Sequence, residues 1–229
     1  MMKEGIMNVK LFFEAIIKFI SGFIIVGLLL FIPAGTIYYF NGLLFMALLF
    51  IPMFIAGIIM LFLNPELLRR RLNAKEKESE QKEVLLFSAI MFISGFIIAG
   101  LNYRYNWIIL PNIVTIISSV IFILSYIMYA EILRENSFLL RTIEVDNNQK
   151  LVDTGMYGIV RHPMYLITII LFLSMPLILN SIVSFIIFLI YPIIIVKRIN
   201  NEEKVLEKEL KGYKEYKNKV KYRLIPFIW

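Results

Sequence analysis

The sequence predicts an all-α protein: a polytopic membrane helical bundle of five to six transmembrane helices, with a C-terminal helical hairpin and a cytoplasmic amphipathic helix. Three observations lead there. The 229 residues are 59% hydrophobic, with mean hydropathy +0.77, whereas a soluble domain is nearer half apolar. The excess is gathered in long uncharged runs of the length a membrane crossing needs. Lys and Arg cluster beside some of those runs and leave the alternate links almost uncharged, the asymmetry of a chain threaded back and forth.

The first span is expected from Phe19 to Tyr39, with an amphipathic start from Leu11, where Glu14 and Lys18 stand four apart and can pair on one helix face. The charged start followed by an apolar run resembles a signal peptide, but no small-residue cleavage site follows and the run is long enough to stay as an anchor. Asn41-Gly42 is a turn signal. The second span is Leu43 to Leu63, the third Val84 to Tyr103 and the fourth Ile113 to Leu133. Between the second and third lies a stretch dense in charge, from Asn64-Pro65-Glu66 through Arg69-Arg70-Arg71 to Glu83. Arg134 to Val160 is the one long polar segment, with strand-like alternation at Arg141–Val145 and a turn signal at Asp146-Asn147-Asn148. Pro163 to Val196 is too long for one span and is interrupted at Met175-Pro176 and Asn180-Ser181, so two short tilted helices turning near Asn180 are expected. A helix over Asn200 to Val220 follows, with Val205, Leu206, Leu210, Tyr213 and Tyr216 near one side and Gly212 as its weak spot. Residues 1–133 thus form an N-terminal unit of four spans, and residues 134–229 a C-terminal unit. The positive-inside rule puts both termini and both charged loops in the cytoplasm of an integral protein of the cell membrane.

Composition also excludes. With no cysteine there is no disulfide, thiolate metal site or thiol nucleophile. One histidine and scattered carboxylates do not build a metal site. The net charge of +7 sits beside apolar runs, which points to topology and anionic membrane lipids rather than nucleic acid.

The stretch most able to carry chemistry is Gly155-Met-Tyr157-Gly-Ile-Val-Arg161-His162-Pro163-Met164-Tyr165. An Arg-His pair is costly in hydrocarbon and belongs at a membrane surface or in a protein-lined cavity. Pro163 suits a first helical turn, so the unpaired N–H groups and positive dipole end of the next helix fall beside Arg161 and His162, a ready site for an anion. Further along, Arg198 and Glu202 are four apart and share a helix face, with Glu203 next to them. Each feature alone has a plain reading: a positive flank, an interfacial tyrosine, an acidic helix turn. Their order is what matters.

Gly155-x-Tyr157-x-x-x-Arg161-His162-Pro163-x-Tyr165, a hydrophobic hairpin, Arg198-x-x-x-Glu202-Glu203, then Leu210-x-Gly212-Tyr213-x-x-Tyr216 and Ile225-Pro226 resembles the isoprenylcysteine carboxyl methyltransferase family, part of a membrane methyltransferase superfamily that includes phospholipid methyltransferases. The resemblance runs from about Thr142 to the C-terminus, and Asn64-Pro65-Glu66-Leu67-Leu68 also looks like a piece of bacterial members. It implies S-adenosylmethionine as cofactor, with contacts from Gln149, Lys150, Leu151, Val152, Tyr157, Arg161, His162, Pro163, Met164, Tyr165, Glu202 and Glu203. It implies a catalytic pair in Arg198, beside the methyl acceptor, and His162. No glycine-rich nucleotide loop accompanies them.

These residue types suit that chemistry. A carboxylate such as Glu202 can pair with the donor's cation or amino group, and tyrosine faces can hold the cation or stack the adenine. Arg161, His162 and the helix N-terminus can take a carboxylate. Methyl transfer is an in-line displacement, so positioning and desolvation dominate. A carboxylate acceptor needs a cation such as Arg198 but no base, which favours an acid or thiol acceptor over an amine. The expected partner is a hydrophobic small molecule or lipid entering sideways from the bilayer. The rival readings are a sterol-reductase-like membrane enzyme using NADPH and a non-catalytic membrane protein; the latter needs ionisable groups inside the early spans, which hold none beyond Glu14 and Lys18.

Overall fold

The computed structural model describes residues 2–72, 79–136 and 151–229. They form helices α1 (Met2–Ala34), α2 (Phe40–Leu63), α3 (Pro65–Leu72), α4 (Ser79–Tyr105), α5 (Asn112–Glu135), α6 (Pro163–Ile178), α7 (Ile182–Phe188), α8 (Ile190–Glu209) and α9 (Tyr213–Lys219), with a 3-10 turn at Gly155–Gly158 and no strand among the described residues. Five stretches are long and apolar enough to cross a membrane: Val9–Ala34, Phe40–Leu63, Gln81–Tyr105, Asn112–Glu135 and Ile182–Glu209. The fold is the polytopic helical bundle that the sequence predicts, and it is that of an integral membrane protein.

The last of those stretches is α7 and α8, separated by the single residue Leu189. Pro192 has no N–H to give to the carbonyl four residues back, which accounts for the break in the helical hydrogen bonding at this turn. With α6 it makes the expected hairpin, turning at residues 179–181. α6 has only 16 residues, about 24 Å of helix against a hydrocarbon layer of ~30 Å. Its far end still meets the links between the other spans. Asn102 donates from Nδ2 to the Asn180 carbonyl at 3.1 Å, and Asn41 donates to the Ile178 carbonyl at 2.8 Å. The Asn180 side chain takes the Leu110 N–H at 2.6 Å and returns a bond to the Leu110 carbonyl, while the Tyr39 phenol donates to the Leu179 carbonyl. Backbone groups at a helix end have no intrahelical partner, and at membrane depth protein must supply one. These asparagines do so.

The opposite end gathers the charge. Lys18 pairs with Glu14 at 2.6 Å, as their spacing predicts, and donates to the Leu72 carbonyl of α3 at 2.7 Å. Arg71 lies 5.4 Å from the Tyr129 ring centroid, and Lys197 bridges to Glu83 at 2.6 Å.

Three boundaries are corrected. The first span ends at Ala34, not Tyr39: Gly35, at φ +71°, takes the left-handed conformation that closes a helix. Asn41-Gly42 lies inside α2 rather than in a turn. A Cβ on Gly42 would sit 2.7 Å from the Tyr39 ring, so glycine serves close packing there. The single helix expected over Asn200 to Val220 is two pieces. Its first half continues the span in α8, and Gly212, at φ +85°, then starts α9 in a new direction. The strand-like Arg141–Val145 and the turn at Asp146-Asn147-Asn148 lie outside the described residues.

Candidate functional site

The site forms at the charged end, where the start of α6, the last turns of α8, α9 and the closing residues meet. Pro163 occupies the first turn of α6 with His162 as N-cap. The chain before it is held by the tail: the Arg161 N–H donates to the Tyr222 carbonyl at 2.9 Å and the His162 N–H to the Arg223 carbonyl at 2.8 Å.

Glu203 lies at the centre. Its Oε1 accepts from Arg161 Nε at 2.7 Å, stands 3.2 Å from His162 Nε2 and takes the Tyr213 hydroxyl at 3.5 Å; its Oε2 accepts from Arg223 Nε at 2.9 Å. Arg161 also donates from Nη1 to the Val220 and Lys221 carbonyls at 2.7 and 2.8 Å. Arg161, His162 and Glu203 are 6%, 5% and 3% exposed. A buried charge is tolerated only when paired and fully hydrogen-bonded, and this cluster meets that condition inside the protein.

Glu202, the next residue, points another way and is half-buried. Its carboxylate accepts the Tyr165 hydroxyl, and the same phenol oxygen takes Arg198 Nε at 2.8 Å. The Arg198 guanidinium lies 5.7 Å from the Tyr165 ring centroid. Tyr165 is buried, and its ring lies near-parallel to His162, with centroids 5.7 Å apart. One tyrosine thus bridges a carboxylate and a guanidinium and touches the histidine. The i, i+4 spacing of Arg198 and Glu202 places them one turn apart on α8, as expected, and α6 supplies the bridge.

Tyr157, in the 3-10 turn, is buried with Ile132 and Ile167, and its carbonyl accepts the Tyr216 hydroxyl at 2.7 Å. Burial raises the Tyr157, Tyr213 and Tyr216 phenols above their ordinary range, because the charged form is the one that loses its water. Gly155 stands where any Cβ would meet the Glu135 carboxylate, 2.1 Å from Oε1. Leu151 and Leu206 pack on Leu210, Tyr213, Tyr216 and Val220, and Val152 and Met164 pack on the Tyr157 group. Lys219 bonds to Asp153 at 2.8 Å and holds that carboxyl below its usual range. The structure therefore gathers Leu151, Val152, Tyr157, Arg161, His162, Pro163, Met164, Tyr165, Arg198, Glu202 and Glu203 at one end. Gln149 and Lys150 lie outside the described residues. Arg223 escapes the sequence reading; its only signal is a charge inside the apolar closing segment of residues 222–229.

Comparison with a known family falls on the same region. Residues 113–212 match the family model described as phospholipid methyltransferase. That stretch runs from α5 to Gly212 and includes every predicted site residue, so this part of the chain is similar to membrane methyltransferases. A 93-residue stretch, 39% of this chain, is 32% identical to the Delta(14)-sterol reductase TM7SF2 of Mus musculus, of which it covers 22%.

Proposed function

We propose that this protein is a membrane-embedded, S-adenosylmethionine-dependent methyltransferase acting on a hydrophobic acceptor, with the charged end of the bundle facing the cytoplasm. The carrying observation is the Arg198–Tyr165–Glu202 bridge, set inside the region that matches the methyltransferase family model. Its donor set fits the two substrates. Glu202 offers a carboxylate to a cationic donor, and Arg198 offers a cation to an anionic acceptor.

S-adenosylmethionine supplies a methyl group activated on a sulfonium centre. The rest falls to the chain. Glu202 binds the donor's positive end, and Tyr165 holds that carboxylate in one rotamer. Arg198 orients the acceptor, whose carboxylate or thiolate needs no base. Arg161 and Glu203 spend their bonds on each other and on the tail, so their role is to hold His162 and the start of α6 in place. The acceptor enters from the bilayer between the hairpin and the earlier spans; a carboxylate of the isoprenylcysteine type, a thiol and a lipid headgroup are the candidate classes.

The similarity to a sterol reductase keeps a second reading in play, and one experiment separates the two. Calorimetric titration of the detergent-purified protein with S-adenosylhomocysteine is expected to give saturable binding, and a parallel titration with NADPH none. NADPH binding alone would move the protein to the reductase reading, and binding of neither would remove both. Within the first reading, Tyr165→Phe is expected to weaken S-adenosylhomocysteine about tenfold, because it deletes one hydrogen bond to each of two charged groups. Unchanged affinity would take Tyr165 out of the donor site.

A further inference from the structure

We propose that Arg223 is a positioning residue for the donor site, and that residues 220–229 are a strap built into that site; this rests on the methyltransferase reading above. Arg223 lies outside the stretch that matches the family model. It nevertheless holds His162 twice. Its carbonyl accepts the His162 N–H at 2.8 Å, and its Nε donates to Glu203 Oε2 at 2.9 Å, while Glu203 Oε1 faces His162 Nε2 at 3.2 Å. Backbone and ring of the histidine are thus referred to the same residue.

The strap is itself over-determined. The main-chain oxygen of Trp229 accepts three consecutive N–H groups, from Arg223, Leu224 and Ile225, at 3.0, 2.9 and 3.1 Å. That closes a loop through Phe227, which takes the left-handed conformation at φ +66°, a strain that persists only where surroundings enforce it. The Arg223 guanidinium lies 5.1 Å from the Trp229 ring centroid, within the range of a cation–π attraction. Leu224 is buried in the main core and Trp229 packs against it. The route from core to donor site therefore runs Leu224 and Trp229, Arg223, Glu203, His162. Without Arg223, Glu203 Oε2 loses a charge-assisted bond, and the carboxylate that faces the His162 ring is held through Oε1 alone, by Arg161 and Tyr213.

His162 is the only histidine of the chain, so its ring nitrogens give an unambiguous 15N spectrum. The test compares wild type, Arg223→Gln, Arg223→Lys and Trp229→Leu in detergent, by calorimetry with S-adenosylhomocysteine, by thermal unfolding and by that spectrum at fixed pH. Arg223→Gln is expected to weaken binding ten- to a hundredfold, the range for a hydrogen bond to a charged group, and to move the ring signals. Arg223→Lys restores the charge and part of the affinity. Trp229→Leu keeps the bond to Glu203 and loses less than Arg223→Gln. Wild-type affinity in Arg223→Gln overturns the proposal, as does an unmoved ring spectrum with affinity lost only in step with melting temperature. If Arg223→Gln does not fold, the lysine and Trp229 variants decide by the same signals. A wild-type protein that binds no S-adenosylhomocysteine removes the methyltransferase reading instead, and the ring spectrum still decides whether Arg223 positions His162.

Discussion

Glu203→Ala is expected to lower stability by about 3–5 kcal/mol, the cost of breaking a buried pair and leaving its partner charged and alone, and to abolish S-adenosylhomocysteine binding. The carboxylate removed accepts from Arg161 and Arg223, takes the Tyr213 hydroxyl and faces His162. The Arg161 side chain, 4% exposed, would keep only the Val220 and Lys221 carbonyls. Glu202→Ala makes the contrast. That carboxylate is half-buried and takes the Tyr165 hydroxyl, so its loss is expected to remove donor binding with little change in melting temperature. Thermal unfolding in detergent, paired with calorimetry, checks both. Equal losses of stability in the two variants would contradict the division into a structural and a binding carboxylate.

Gly100→Ala is expected to cost about 1–3 kcal/mol, the range for overpacking a tight contact. A Cβ there would lie 2.5 Å from the Leu30 carbonyl oxygen, 3.0 Å from Pro33 Cβ and 3.1 Å from the Ala34 nitrogen. Two of those atoms are backbone and cannot swing aside, so α1 and α4 would have to part. Small residues at helix crossings in membranes exist for such approaches. Gly57 is the control. A Cβ there meets nothing within 4 Å, so Gly57→Ala is expected to be neutral or to stabilise α2 by up to ~1 kcal/mol through helix propensity. A melting temperature for Gly100→Ala at or above wild type would show that the α1–α4 contact is not that close.

Much of the fold was legible because it is written in runs. Membrane spans are long, apolar and nearly uncharged, and hydropathy reads them without tertiary knowledge. The second, third and fourth spans fall within α2, α4 and α5, and the hairpin turns at Asn180 as the interruptions predict. Local conformation was harder. Asn41-Gly42 has turn composition and lies in a helix, because the packing of Tyr39 and Phe31 around Gly42, not the chain's own preference, set the choice. Gly212 was visible as a weak spot, but not the change of direction that brings Tyr213 and Tyr216 onto Glu203 and Tyr157.

The sequence by itself determined that this is a helical membrane protein, which end carries the charge, and which residue types collect there. Those properties depend on composition and period, which are local along the chain. Only the tertiary structure decided how adjacent residues divide the work. Glu202 and Glu203 are the same residue type side by side, yet successive positions on a helix point about 100° apart. One faces Tyr165 and the Arg198 side, and the other is sealed among Arg161, His162 and Arg223. Arg223, 61 residues beyond His162, enters the site only because the closing segment folds back and pairs its backbone with residues 161 and 162. Hydrogen bonds between segments so far apart in the chain leave no period in the sequence to read.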